Sequence, residues 1–210
     1  MARVNNYLIQ AGQAKTRFLT YDQEKLIAKF GLQADAVYLY TDLLGRRYRI
    51  SRTSADMEYL DEATWRDGNS YEEVMTLLDL LCDSREDRNL SLRWKNLQDF
   101  GLMFHRNLLE NQRDPYAERF GADPEGFRRA CVALGGQPLS QGDVSYAIEL
   151  FDGLPIAVQL WLGDEEFPPR LRFLLDGNAN MYLRYETMYY AKALLLKRLE
   201  NIFLSISGEI

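Results

Sequence analysis

Two apolar runs, Val144–Phe151 and Leu154–Leu162, stand two residues apart across Asp152-Gly153, and this pair constrains the chain more than any other stretch. Alternation sends Val144, Tyr146, Ile148 and Leu150 to one side and Ser145, Ala147 and Glu149 to the other. That is the period-two signature of a half-buried strand. In the second run Ile156, Val158, Leu160 and Leu162 share a face, opposite Ala157, Gln159 and Trp161. Asp-Gly between such runs predicts a hairpin, because a primed turn needs positive φ and glycine reaches it without penalty. Pro155 lacks an N–H and so limits where the second strand starts to pair. An acidic corner follows, Gly163-Asp164-Glu165-Glu166-Phe167-Pro168-Pro169, and then a third apolar run, Leu171–Leu175.

The flanking segments read as helices and short strands. Tyr21-Asp22-Gln23-Glu24 opens a helix that Gly31 is placed to end, within a mostly helical region from Arg3. Ala36–Tyr40 and Arg47–Ile50 predict two short strands, whereas Thr53 to Gly68 is polar and carries no decisive pattern. Ser70 with Glu73 fits a capping box ahead of the stripe Val74, Leu77, Leu78 and Leu81. Leu92–Leu109 has apolar residues at helical spacing, broken at Gly101. Asp114-Pro115 and Asp123-Pro124 each place an N-cap before a proline at the first helical position. The longest predicted helix is Tyr185–Ser205, with Met188, Ala191, Leu195, Leu199 and Ile202 on one stripe. The expectation is one α+β domain over residues 1–210, a largely antiparallel sheet around the 144–162 hairpin packed by helices.

Composition narrows the function classes. With 25 basic and 31 acidic residues the net charge is −6, which argues against general nucleic-acid binding, since that requires a basic footprint. Hydrophobic residues make up 47% of the chain, enough to support a core. No apolar run approaches the roughly 20 residues that span a bilayer, and the first residues lack the apolar centre of a secretory signal. Cys82 and Cys131 are too few and too scattered for a disulfide framework. A cytoplasmic setting is expected.

The order of several elements carries a resemblance. These are Gln141-Gly142-Asp143-Val144-Ser145-Tyr146 after a double glycine, Phe151-Asp152-Gly153-Leu154-Pro155, Trp161-x-Gly163-Asp164-Glu165-Glu166-Phe167-Pro168, Leu174-Leu175-Asp176 and Tyr185-Glu186. Together with Leu44–Ile50 they resemble a prokaryotic family catalogued as domain of unknown function 3786, over most of the chain. The Trp–Asp-Glu-Glu-Phe-Pro element is the most specific part. The resemblance implies no activity. Some relatives are joined to iron–sulphur domains, but two cysteines cannot supply such a cluster, and no cofactor follows.

Three groups of residues are candidates for chemistry. Asp164, Glu165 and Glu166, with Asp176 ten residues further on, are hard oxygen ligands of the kind Mg²⁺ or Ca²⁺ takes. The same carboxylates equally serve as caps, as strand-closing residues or as partners of Arg170 and Arg172, and Asp176 before Gly177-Asn178 suits a turn. Arg46, Arg47, Arg49 and Arg52 fall within seven residues. If Arg47 and Arg49 share a face they suit a phosphate or carboxylate, although Asp56, Glu58, Asp61 and Glu62 stand ready to balance them. Trp161, Phe167, Phe173, Tyr182, Tyr185, Tyr189 and Tyr190 suit a pocket wall or a core, with adjacent Tyr189 and Tyr190 diverging by about 100° on a helix.

His105, the single histidine, excludes a His-rich metal site. No nucleophile elbow, phosphate loop, dinucleotide fingerprint or zinc signature occurs. The expected function is therefore a binding module for a protein partner or small ligand, through residues among Trp161, Asp164, Glu165, Glu166, Asp176, Arg47 and Arg49. The alternative is a divalent-cation-dependent enzyme using the acidic carboxylates.

Overall fold

A computed structural model describes residues 6–101 and 114–208. These divide into two compact units, one drawn from Met1–Asn89 with Met181–Ala191 and the other from Leu90–Asn180 with Lys192–Ile210. The architecture is α+β, with six helices and two antiparallel sheets among the described residues. The strands near Tyr38–Ser51 therefore belong to a sheet of their own, separate from the sheet of the 144–162 hairpin.

The first unit begins with α1 (Asn6–Leu19) and α2 (Gln23–Phe30). The Asp22 side chain accepts from the Glu24 and Lys25 amides, and Gly31 ends α2 in the left-handed region at φ 61°. A meander follows in the order β1 (Gln33–Ala34), β2 (Tyr38–Leu43), β3 (Arg46–Ser51), β4 (Met57–Asp61) and β5 (Thr64–Asp67). Its buried face carries Leu39, Leu43, Tyr48, Ile50 and Met57. The polar stretch 53–68, undecided by pattern, supplies β4 and β5, because pairing with β3 satisfies backbone that its own side chains do not bury.

Helix α3 (Tyr71–Asp83) starts at the expected capping box: Ser70 Oγ accepts from the Glu73 amide while the Glu73 carboxylate accepts from the Ser70 amide. The same carboxylate accepts from Tyr48 Oη at 2.5 Å, tying the helix cap to the sheet core. Val74, Leu77, Leu78 and Leu81 are buried as their spacing predicts.

In the second unit the sheet order is β6 (Trp94–Asn96), β10 (Arg170–Asp176), β9 (Leu154–Trp161), β8 (Val144–Phe151) and β7 (Gln137–Pro138). The hairpin forms as expected: Asp152 and Gly153 both have positive φ, 49° and 77°, and Phe151 pairs with Leu154. Register runs from Val144 opposite Leu160 to Ile148 opposite Ile156, with an irregularity between Glu149 and Phe151 where Pro155 enters. As the middle strand, β9 is covered on both faces, so Ala157 and Gln159 are buried along with Ile156, Val158 and Leu160. Each large apolar side chain on it contributes about 1.5–3 kcal/mol by leaving water. Leu162 departs from the expected alternation: it lies beyond the strand end and is exposed.

Helices α4 (Pro115–Ala122) and α5 (Pro124–Ala133) start at Asp114 and Asp123, whose side chains accept from the first-turn amides. Phe120 stacks on Phe127 at 4.7 Å and meets Phe203 edge-on at 5.3 Å. Phe203 belongs to α6 (Tyr185–Ser207), whose stripe Met188, Ala191, Leu195 and Leu199 is buried.

The helical reading of 92–109 needs correction where it can be seen. Trp94–Asn96 is an edge strand and Leu97–Phe100 a single 3-10 turn. Leu92 sits at φ 57°, and its amide is bound by the Asp176 carboxylate, which aims the chain into the sheet. His105 lies outside the described residues.

Gly153→Ala tests the hairpin. A Cβ there meets nothing within 4 Å, so the cost is that of a left-handed alanine. Urea denaturation should show about 1–2 kcal/mol lost.

Candidate functional site

The acidic corner is a tight turn at the end of β9. Asp164 Oδ1 accepts from the Glu166 amide at 2.9 Å and the Phe167 amide at 2.7 Å, while the Asp164 amide donates to the Phe167 carbonyl at 2.9 Å. The Phe167 and Glu166 amides hold the Asp164 carboxyl below its ordinary value. Asp143 braces the entry by accepting from the Leu162 amide at 2.8 Å. A Cβ on Gly163 would come within 2.9 Å of Pro169, so the exit is equally closed.

What the turn presents is apolar as well as acidic. Phe167 is 65% exposed, Leu162 42% and Trp161 41%, and Glu165 and Glu166 are exposed beside them.

Asp176 does not join this corner. It ends β10, six residues beyond Arg170, and strand rise separates those ends by about 20 Å. Its carboxylate is buried and accepts from the Ser91, Leu92 and Asn178 amides, each at 2.8 Å. Burial raises its pKa, but the amides of Ser91, Asn178 and Leu92 outweigh that and leave it lowered. Asp176 thus closes a turn, as its sequence context suggested. No group of three or more His, Cys, Asp or Glu among the described residues is arranged to hold a metal ion.

The arginines divide by strand parity. Arg46 lies over the Tyr59 ring at 4.1 Å, on the side of Tyr48. Arg47 and Arg49 do share the opposite face, with Tyr38 and Tyr40 on β2, Glu58 on β4 and Trp65 on β5. Arg47 donates to Asp42 Oδ2 at 2.9 Å and to Gln33 Oε1. The Arg49 guanidinium lies 4.4 Å from the Tyr38 ring and 4.4 Å from the Trp65 ring, and its Nε donates to Glu58 Oε2 at 2.6 Å. That bond to Glu58 raises the Arg49 pKa. Nearby, Tyr40 Oη donates to Asp35 Oδ2 at 2.7 Å, the largest cause of a lowered Asp35 pKa.

Sequence reasoning missed the partners of Arg49. Trp65 is two strands away, and only the pairing of β3 with β4 and β4 with β5 brings it there.

It also missed a buried polar network. Asp79 on α3 accepts from Thr187 Oγ1 at 2.6 Å and from Arg17 Nη2, and Arg17 Nη1 donates to Asp83 at 3.0 Å. Arg184 Nη2 reaches the same Asp83 oxygen at 3.0 Å. Burial raises the Asp79 pKa, against the Thr187 bond and the Arg17 charge. The nearest hint in sequence was Asp79 between Leu78 and Leu80 on α3.

The aromatic residues of the C-terminal third are divided between the two units. Tyr185 and Tyr189 meet edge-on at 5.2 Å, Tyr190 packs against Tyr71 at 5.1 Å, and Phe173 is buried beneath Lys192. Tyr189 and Tyr190 diverge as expected. Both cysteines are buried, and burial pushes each thiol up to about 12, so neither is an activated thiolate.

The family described as Domain of unknown function (DUF3786) matches residues 22–198. No curated protein and no solved structure matches the chain. No helix among the described residues is long and apolar enough to cross a membrane.

Asp176→Asn gives a pH-dependent test. The native pKa lies below the unfolded value, so the carboxylate's stabilisation is complete above about pH 4 and fades as pH falls through the native value. The variant should lose about 1–3 kcal/mol at pH 7. Urea titrations should show the gap from wild type narrowing below pH 4.

Proposed function

The chain belongs to the DUF3786 family, and we propose that it acts as a protein-binding module whose contact point is the turn at Trp161–Phe167. The observation that carries this reading is a phenylalanine held 65% exposed at the tip of a turn closed by three hydrogen bonds. An apolar ring in water gains about 2–3 kcal/mol on full burial, and a rigid turn loses little entropy when it docks. Trp161 and Leu162 extend the apolar surface, while Glu165 and Glu166 supply an acidic rim. Large aromatic anchors within a polar rim are the composition of interface hot spots.

The matching partner surface is an apolar pocket bordered by Lys or Arg, with the acidic rim steering approach. Asp164, whose Oδ1 is engaged by backbone amides, builds the turn and is not assigned to a ligand. The two free cysteines, both buried, fit a reducing cytoplasm.

Benzoylphenylalanine in place of Phe167 should cross-link one discrete partner in cells. The same group in place of Val132, itself 57% exposed in this unit, should not. The identified partner, titrated against Phe167→Ala, should bind about 10–100-fold more weakly. Glu165→Gln with Glu166→Gln should remove the salt dependence of association. Unchanged affinity in the Phe167→Ala protein would refute the reading.

A further inference from the structure

We propose that Arg49 on the open face of the first sheet is a binding site for a monocarboxylate carrying an apolar group. Its guanidinium is fixed in position by three neighbours. Tyr38 and Trp65 lie against it at 4.4 Å each, and Glu58 takes the Nε proton at 2.6 Å. Nη1 and Nη2 then make no hydrogen bond among the described residues, although the side chain is 21% exposed and water reaches it.

The neighbouring arginines on this sheet differ. Arg47 gives its two terminal nitrogens to Asp42 and Gln33. Arg52 gives its own to the Asp35 carbonyl and Glu24, and its Nε to Gln23. Arg49 alone of these three presents a terminal edge with no acceptor. That edge is two parallel N–H donors, spaced to meet both oxygens of one carboxylate.

Charge decides which anion. Arg47, Arg49 and, at the rim, Arg52 share the face with Asp35, Asp42, Glu58 and Asp67, so acidic groups exceed basic ones by one. A dianion such as phosphate is repelled more than a monoanion by this excess. The Tyr38, Tyr40 and Trp65 rings beside the guanidinium offer an apolar body a surface on which to lie. A small aromatic acid and the C-terminal carboxylate of a peptide share this chemistry.

The proposal rests on the first unit alone and is independent of the Trp161–Phe167 turn. Its test uses the full chain with Trp94→Phe and Trp161→Phe, leaving Trp65 as the sole indole. Benzoate should quench or shift Trp65 emission saturably, with a Kd on the order of 1–10 mM at constant ionic strength. N-acetylphenylalanine should do the same and its amide should not; the tighter of the two acids identifies the source. Inorganic phosphate should bind at least about threefold more weakly. Arg49→Lys keeps the charge and removes the paired edge, and should weaken benzoate about tenfold or more, with the fold verified by circular dichroism. Arg47→Ala, which removes a nearby charge but leaves the paired edge, should weaken benzoate less than Arg49→Lys does. An unaltered benzoate curve in Arg49→Lys, phosphate equal to benzoate, or no saturable response would overturn the proposal.

Discussion

The register of β8 against β9 is the constraint from which the second unit follows. With Asp152 and Gly153 both at positive φ, the turn leaves a single pairing in which Ile148 meets Ile156 and Tyr146 meets Val158. A slip of one residue would turn every such side chain to the other face. Trp161 stands at the far end of β9, opposite Arg170 on β10. The exposed turn therefore begins at the end of the strand opposite the hairpin turn.

Several carboxylates among the described residues finish the backbone. Asp22, Asp114 and Asp123 begin helices, Asp164 closes the corner, and Asp176 gathers three amides where the chain enters and leaves the sheet. Each accepts from N–H groups that would otherwise be left without partners at a helix end or turn. Glu73 shows the economy of the arrangement, since one side chain caps α3 and also receives the buried Tyr48 hydroxyl.

Elements that depend on neighbours in sequence were legible: the capping box at Ser70, the two Asp-Pro helix starts, the Gly31 stop and the 152–153 turn. The residues 57–67 were not, because a half-exposed hairpin carries polar residues that no alternation separates from a loop. Trp94–Asn96 misled for the opposite reason: its apolar spacing suits a helix, but an edge position on β10 and the grip of Asp176 on Leu92 prevail. Among the site residues, Trp161, Glu165 and Glu166 could be picked out in sequence, whereas the exposure of Phe167 could not.

By itself the sequence determined the α+β class, the hairpin, most helix ends and the surplus of acid. These depend on spacing, capping and turn chemistry over a few residues. Only the tertiary structure decided that two sheets form, that Arg46 parts company with Arg47 and Arg49, and that Trp65 comes to lie against Arg49. Such outcomes depend on which strands pair and in what register, a relation between residues distant in the chain that local pattern does not encode.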